Sequence, residues 1–169
     1  MPLTIDSSWL GFISHELGHY YFGTLFNPNS ALRWMFLEGM TEYLAWQYIR
    51  LKLGEEEYKI KINLAILQPD LFKNLIPIFR IQNNSDINED YRYLYIPLLL
   101  TALEKQIGIQ KIWNWLSFIL NDKTATSDYT YFKNSLLSPG VAESEFLDFE
   151  NKYINSGNAV DNVLAAVKE

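Results

Sequence analysis

The stretch ISHELGH at residues 13–19 decides how this chain is interpreted. On a helix, His15 and His19 lie on one face because residues four apart have Cβ atoms roughly 5–6 Å from each other. Two imidazoles so placed can bind one zinc ion at about 2.0–2.1 Å each. Glu16 lies roughly 100° around the helix, where it can take a proton from the attacking water. The chain has only two histidines, and both belong to this motif.

A catalytic zinc needs a third protein ligand. The chain has no cysteine and no further histidine, so only Asp or Glu can supply it. Glu38 is the best candidate, because it and Glu42 project from a mostly apolar face of the second predicted helix. An unpaired carboxylate is costly to bury, and a metal offsets that cost. The alternatives are that Glu38 pairs with Arg or Lys, or that its face reaches solvent.

Hydropathy and turn residues predict an all-α fold with no confident strand. Its 169 residues, 49% of them hydrophobic, suit one domain spanning residues 1–169. Asp6 can cap the first helix, Gly54 can end the second, and Pro97 fits a helix only in its first turn. Residues 71–82 are ambiguous, with 78–81 a possible extended segment, and the tail after Asn155 is weakly patterned. The predicted helices span about residues 6–23, 31–53, 55–69, 94–107, 109–120, 127–137 and 142–154.

Charge and hydropathy exclude two classes of partner. The formal net charge is −6, and no cluster of Lys and Arg is long enough to follow a phosphate backbone. We therefore expect no nucleic-acid binding. No apolar run reaches 18 residues, so we expect no membrane span in this chain. The compartment stays open, because the motif lies only a few residues from the start and the chain is expected to be a piece of a longer protein.

Two elements together resemble the gluzincin metallopeptidases. HELGHYYFG at 15–23 and FLEGMTEY at 36–43 are similar to the aminopeptidase N and leukotriene hydrolase family, with the glycyl aminopeptidases a near second. In that family the ligand glutamate follows the second histidine by nineteen positions, and here 38 − 19 is also nineteen. The resemblance covers about residues 7–153. It implies that the chain is the helical lower lobe of a thermolysin-like catalytic domain.

The resemblance also implies a role for each site residue. His15, His19 and Glu38 look like zinc ligands, and Glu16 looks like the general base that later protonates the leaving amine. Glu42, one turn after Glu38, looks like the carboxylate that hydrogen-bonds a ligand histidine and fixes its tautomer.

A tyrosine that holds the oxyanion is also implied, since charge builds up on the former carbonyl oxygen. The residues from 93 to Gly108 look similar to the family's tyrosine-plus-helix segment. Counting back from Gly108 selects Tyr93, with Tyr91 and Tyr95 as rivals.

Part of the family pattern has no counterpart here. The β-rich lobe that precedes the motif and the Gly-x-Met-Glu-Asn element that grips a free amino terminus are missing, and Leu37 stands where the family often has Asn. The implied activity is zinc-dependent hydrolysis of a peptide or protein substrate, of aminopeptidase type. Apolar surface left by the missing lobe would favour self-association.

Two other interpretations come from different classes. The chain can be a zinc-stabilised helical module, weak or inactive as an enzyme, that binds a peptide or protein partner. A structural zinc site usually has four protein ligands, and the sequence offers no obvious fourth. The third interpretation is a helical domain without a metal.

Overall fold

The computed structural model describes residues 6–124 and 126–168 and confirms the all-α prediction. Within these residues there is no strand, and the only β feature is an isolated bridge between Phe22 and Phe26. The α-helices are α1 (Ser7–Gly18), α2 (Met40–Leu53), α3 (Glu55–Ile66), α4 (Ile96–Ile107), α5 (Ile109–Asn121), α6 (Tyr129–Leu137), α7 (Glu143–Phe149) and α8 (Ala159–Lys168). Short 3₁₀ segments lie at Pro69–Phe72, Ile78–Arg80 and Asn84–Asp86, and π-helical turns at Met35–Gly39, Tyr91–Tyr95 and Glu150–Ile154.

Helix α1 begins where the sequence indicates and ends earlier. The Asp6 carboxylate caps it by accepting from the Trp9 backbone N–H at 2.9 Å. The predicted end near residue 23 is wrong, because α1 stops at Gly18 and the chain turns. Gly23 has φ +147° and donates its N–H to the Phe26 carbonyl at 2.9 Å. This turn brings Phe22 and Phe26 into the core, where both are almost completely buried.

Two π-helical turns replace the regular helix starts that were predicted at residues 31 and 94. The turn Met35–Gly39 runs directly into α2, and the turn Tyr91–Tyr95 runs directly into α4. The two turns pack against each other. Their contact is close because Gly39 lies against Ile96, where an added Cβ would lie 2.8 Å from the isoleucine Cβ. Each π turn contributes one residue to the site described below.

Helix α4 is the centre of the core. Its residues from Ile96 to Glu104 are all buried, and it packs against α2, α5, α7 and α8. Pro97 lies in its first turn, as predicted, where no helical N–H is required of it. The possible extended segment at 78–81 is a 3₁₀ turn instead. The weakly patterned tail contains α8, which buries Val163, Leu164 and Val167.

None of the helices in the described residues has both the length and the apolarity needed to cross a bilayer. This agrees with the prediction from the sequence. Helix α1, which packs mainly on α2, exposes several large apolar side chains. Trp9, Phe12 and Leu17 of α1 are 63%, 58% and 57% exposed.

Candidate metal centre

Three side chains converge between α1 and the first π turn. His15 and His19 lie one turn apart on α1, with ring centroids 4.8 Å apart and planes at 87°. The Glu38 Oε2 atom lies 3.2 Å from His15 Nε2 and 3.5 Å from His19 Nε2. One ligand atom from each residue can be chosen so that all three lie within 4.8 Å of one another. Among the described residues, Glu38 has no ion pair with Arg or Lys; its ion-pair contacts are with these histidines.

In both histidines the Nδ1 atom is hydrogen-bonded in the way that orients a metal-ligating imidazole. His15 Nδ1 lies 2.9 Å from Glu42 Oε2, and His19 Nδ1 lies 3.1 Å from the Phe22 carbonyl oxygen. A carboxylate and a carbonyl oxygen only accept hydrogen bonds, so each Nδ1 must carry the hydrogen. In the neutral ring this leaves the Nε2 lone pair free. The two free lone pairs belong to the atoms that lie near Glu38.

Glu42 is held by more than His15. Its Oε1 atom accepts from Trp46 Nε1 at 2.7 Å and lies 3.2 Å from Lys61 Nζ, so both carboxylate oxygens are engaged. Sequence reasoning missed these two partners. The spacing of four between Glu42 and Trp46 on one helix was a usable signal. Lys61 comes from α3, and nothing in the local pattern connects it to the site.

The three charged groups shift one another's protonation. Burial lowers the pKa of His15, but the hydrogen bonds and charges of Glu38 and Glu42 outweigh it and raise the pKa to about 9. The hydrogen bond from His15 is the main cause that lowers the pKa of Glu38. Burial raises the pKa of Glu42, yet His15, Lys61 and Trp46 together bring it below its ordinary value. Without a metal, His15 is therefore an imidazolium that donates to two carboxylates.

Tyr93, on the second π turn, lies at the same place. Its hydroxyl donates to Glu38 Oε2 at 3.1 Å, and its ring centroid lies 5.8 Å from that of His15. Burial and the nearby Glu38 charge raise its pKa to about 12, so the hydroxyl stays protonated near neutral pH. The rival Tyr91 is buried and donates to the Ile76 carbonyl, away from the cluster. Tyr95 is also buried, and its ring packs against Phe72 and Tyr91.

Glu16 is exposed on α1 and lines a cavity of about 530 Å³. His15, Glu42 and Tyr93 line the same cavity. A carboxylate at this position can exchange protons with a water molecule or substrate in the cavity. Direct contacts therefore join five of the predicted site residues, and Glu16 lies in the cavity that three of those five line.

The three candidate ligands are of the chemical types that zinc binds. Two ligands at about 2.0–2.1 Å from a tetrahedral metal lie about 3.4 Å apart. The two Nε2–Oε2 distances, 3.2 and 3.5 Å, are close to that separation, and no two of the three ligand atoms are more than 4.8 Å apart. Two imidazoles and one carboxylate are also a ligand set found in catalytic zinc sites. Comparison with protein-family models, curated proteins and solved structures finds no match to this chain.

Proposed function

We propose that the chain is the helical, zinc-binding part of a gluzincin-type metallopeptidase that cleaves peptide bonds, with an aminopeptidase as the preferred type. One observation carries the proposal: His15 Nε2 and His19 Nε2 converge on Glu38 Oε2, while the other nitrogen of each ring is fixed by its own acceptor. Hydrogen-bonded acceptors of this kind orient the metal-ligating histidines of proteins.

Each site residue has a defined task in hydrolysis. Zinc held by His15, His19 and Glu38 supplies the Lewis acidity that makes water nucleophilic and the peptide carbonyl electrophilic. Glu16 accepts the proton that water loses as its oxygen bonds to the carbonyl carbon, and passes it to the amine as the C–N bond breaks. Tyr93, which keeps its proton, donates to the oxygen on which charge builds up.

The test is zinc content and peptide hydrolysis in three proteins. Wild type and Glu16→Gln should carry near-stoichiometric zinc after dialysis against a weak chelator, whereas Glu38→Ala should lose it. Glu16→Gln should keep zinc and lose hydrolysis, because it removes only the proton acceptor. Unchanged hydrolysis in Glu16→Gln, measured in the longest protein that contains this chain, would refute the peptidase proposal. Absence of zinc from the wild type would refute the metal centre.

The second candidate is a zinc-binding helical module that binds a peptide or protein partner without cleaving it. The exposed apolar side of α1, with Trp9, Phe12 and Leu17, favours a partner surface there. In the peptidase proposal this side packs against a β-rich lobe outside the chain, and without that lobe it favours self-association. Zinc binding with peptide binding but no hydrolysis would select the module.

A further inference from the structure

The cavity beside the metal centre is built from α1 and α3. Its apolar walls are Phe12, on α1, and Ile60 and Leu64, on α3. Its polar groups include His15 and Tyr93 of the metal centre. A volume of about 530 Å³ is large enough for one extended side chain next to the reacting bond.

Glu57 lines the cavity and has no partner among the described residues. It is only partly exposed. A glutamate in the first turn of a helix ordinarily reaches back to the N-cap backbone N–H. Here that group, on Gly54, already donates to the Arg50 carbonyl at 3.1 Å. The usual stabilising contact of Glu57 within the fold is therefore taken.

The second ordinary partner of Glu57 is also engaged elsewhere. Lys61 follows Glu57 by four residues on α3, the spacing at which Glu and Lys normally pair. Lys61 instead lies 3.2 Å from Glu42 Oε1 and over the Trp46 ring. The cavity thus has one lysine, whose charge is balanced by Glu42, and two further carboxylates, Glu16 and Glu57.

We propose that this cavity binds a positively charged alkylammonium or guanidinium group of the peptide substrate, with Glu57 as its counter-ion. The inference rests on the proposed peptidase function and names a specificity residue for it. The aliphatic part of such a group can lie along Phe12, Ile60 and Leu64 while its charged end reaches the carboxylate. Glu16 is reserved for proton transfer, so Glu57 is the free negative charge in the cavity.

Two parts of a peptide carry this chemistry, the side chain of Lys or Arg and the terminal α-ammonium. Uncleavable ketomethylene peptides separate them. The peptides carry either lysine or uncharged norleucine at one position, and each is made with a free or an acetylated amino terminus. The lysine or norleucine is placed in turn on each side of the ketomethylene group. Dissociation constants are measured by calorimetry on the zinc-loaded protein, so hydrolysis plays no part in the measurement.

The variant is Glu57→Gln, and the matched control is Glu56→Gln. Glu56 is the neighbouring glutamate in the same helical turn, its side chain is 88% exposed, and it is not part of the cavity lining. Both variants remove one negative charge from α3. A difference between their affinities for the peptides is therefore due to the position of Glu57 in the cavity. Glu57→Asp keeps the charge and should restore part of the affinity. Thermal melting of each variant confirms that the fold is kept.

Glu57→Gln should weaken the binding of the cationic peptides about tenfold and leave their neutral counterparts unchanged, as expected for loss of a charged hydrogen bond. Glu56→Gln should change neither. A lysine-to-norleucine effect assigns the cation to the side chain, and an acetylation effect assigns it to the terminus. Equal effects of the two variants, no preference for cationic peptides, or no binding of any probe would overturn the inference. If the wild-type protein shows this binding pattern but hydrolyses no peptide, the peptidase function is overturned instead.

Discussion

Zinc should compete with a proton for His15. In the metal-free protein the pKa of this imidazole is raised to about 9, so nearly every His15 is protonated at pH 7. Zinc binds only the deprotonated ring. With a pKa of about 9, competition from the proton weakens the apparent affinity at pH 7 about 100-fold relative to the fully deprotonated ring. Zinc affinity should therefore rise about tenfold per pH unit between pH 7 and 8 and level off above pH 9.

The assay is a titration with a competing chelator across this range, joined to calorimetry in buffers of different ionisation enthalpy. At pH 7.5, about one proton from His15 should be released per zinc ion bound. Glu42→Gln supplies the perturbation, because it removes one of the two carboxylates that raise the pKa of His15. The rise in affinity should then begin at lower pH.

Measurements at about pH 10.5, well above the pKa of His15, separate proton competition from ligand positioning. There His15 is neutral in both proteins, so any remaining difference reflects the lost orientation of the imidazole by Glu42. We expect Glu42→Gln to bind zinc about 10- to 100-fold more weakly at that pH. A zinc affinity that is flat between pH 7 and 8.5, or binding without proton release, would refute the reasoning.

Three further perturbations probe the same centre. Gly39→Ala should destabilise the fold by about 1–3 kcal/mol, because the added methyl group would overlap Ile96. The control Gly157→Ala should not destabilise it, because a Cβ there meets no atom within 4 Å. Equal shifts of the melting temperature in the two variants would contradict this. Tyr93→Phe should lower kcat at least tenfold with zinc content unchanged, since it removes only the hydroxyl donor, and an unchanged kcat would rule out that role. Below pH 6.5 the protonated His15 contributes its full stabilisation to the metal-free protein, and up to roughly 3 kcal/mol of the free energy of unfolding is lost as the pH rises to 9. Urea unfolding at a series of pH values measures this loss, and a free energy that does not change with pH would contradict it.

Local periodicity was sufficient to predict that His15, His19 and Glu38 come together. His15 and His19 share a face because both lie on one regular helix, and that depends only on a spacing of four. Glu38 was proposed because a carboxylate on an apolar face needs a partner, and it lies beside both imidazoles. Tyr93 was harder, since Tyr91 and Tyr95 lie on the same turn. The choice among the three tyrosines depends on which face of the turn packs inward. That face is known only once the position of α4 is known.

Features that depend on tertiary contact were not accessible from the sequence. The π turns at Met35–Gly39 and Tyr91–Tyr95 break the 3.6-residue period on which helix prediction depends. Helix α1 ends at Gly18 because Phe22 and Phe26 enter the core, a preference that competes with continued helix. Lys61 reaches Glu42 from another helix, and no spacing rule relates the two.

The centre also explains how α1 is attached. Only Gly11, His15 and Gly18 of this helix are buried, so α1 buries no large apolar side chain of its own. Its one buried polar side chain, His15, bonds Glu38 on the π turn and Glu42 on α2. The groups proposed to bind zinc are thus also the groups that join α1 to the rest of the fold. A zinc ion at this position would replace contacts that depend on the charge of His15 with bonds that do not, and would fix α1, which carries Glu16, relative to the π turn that carries Glu38.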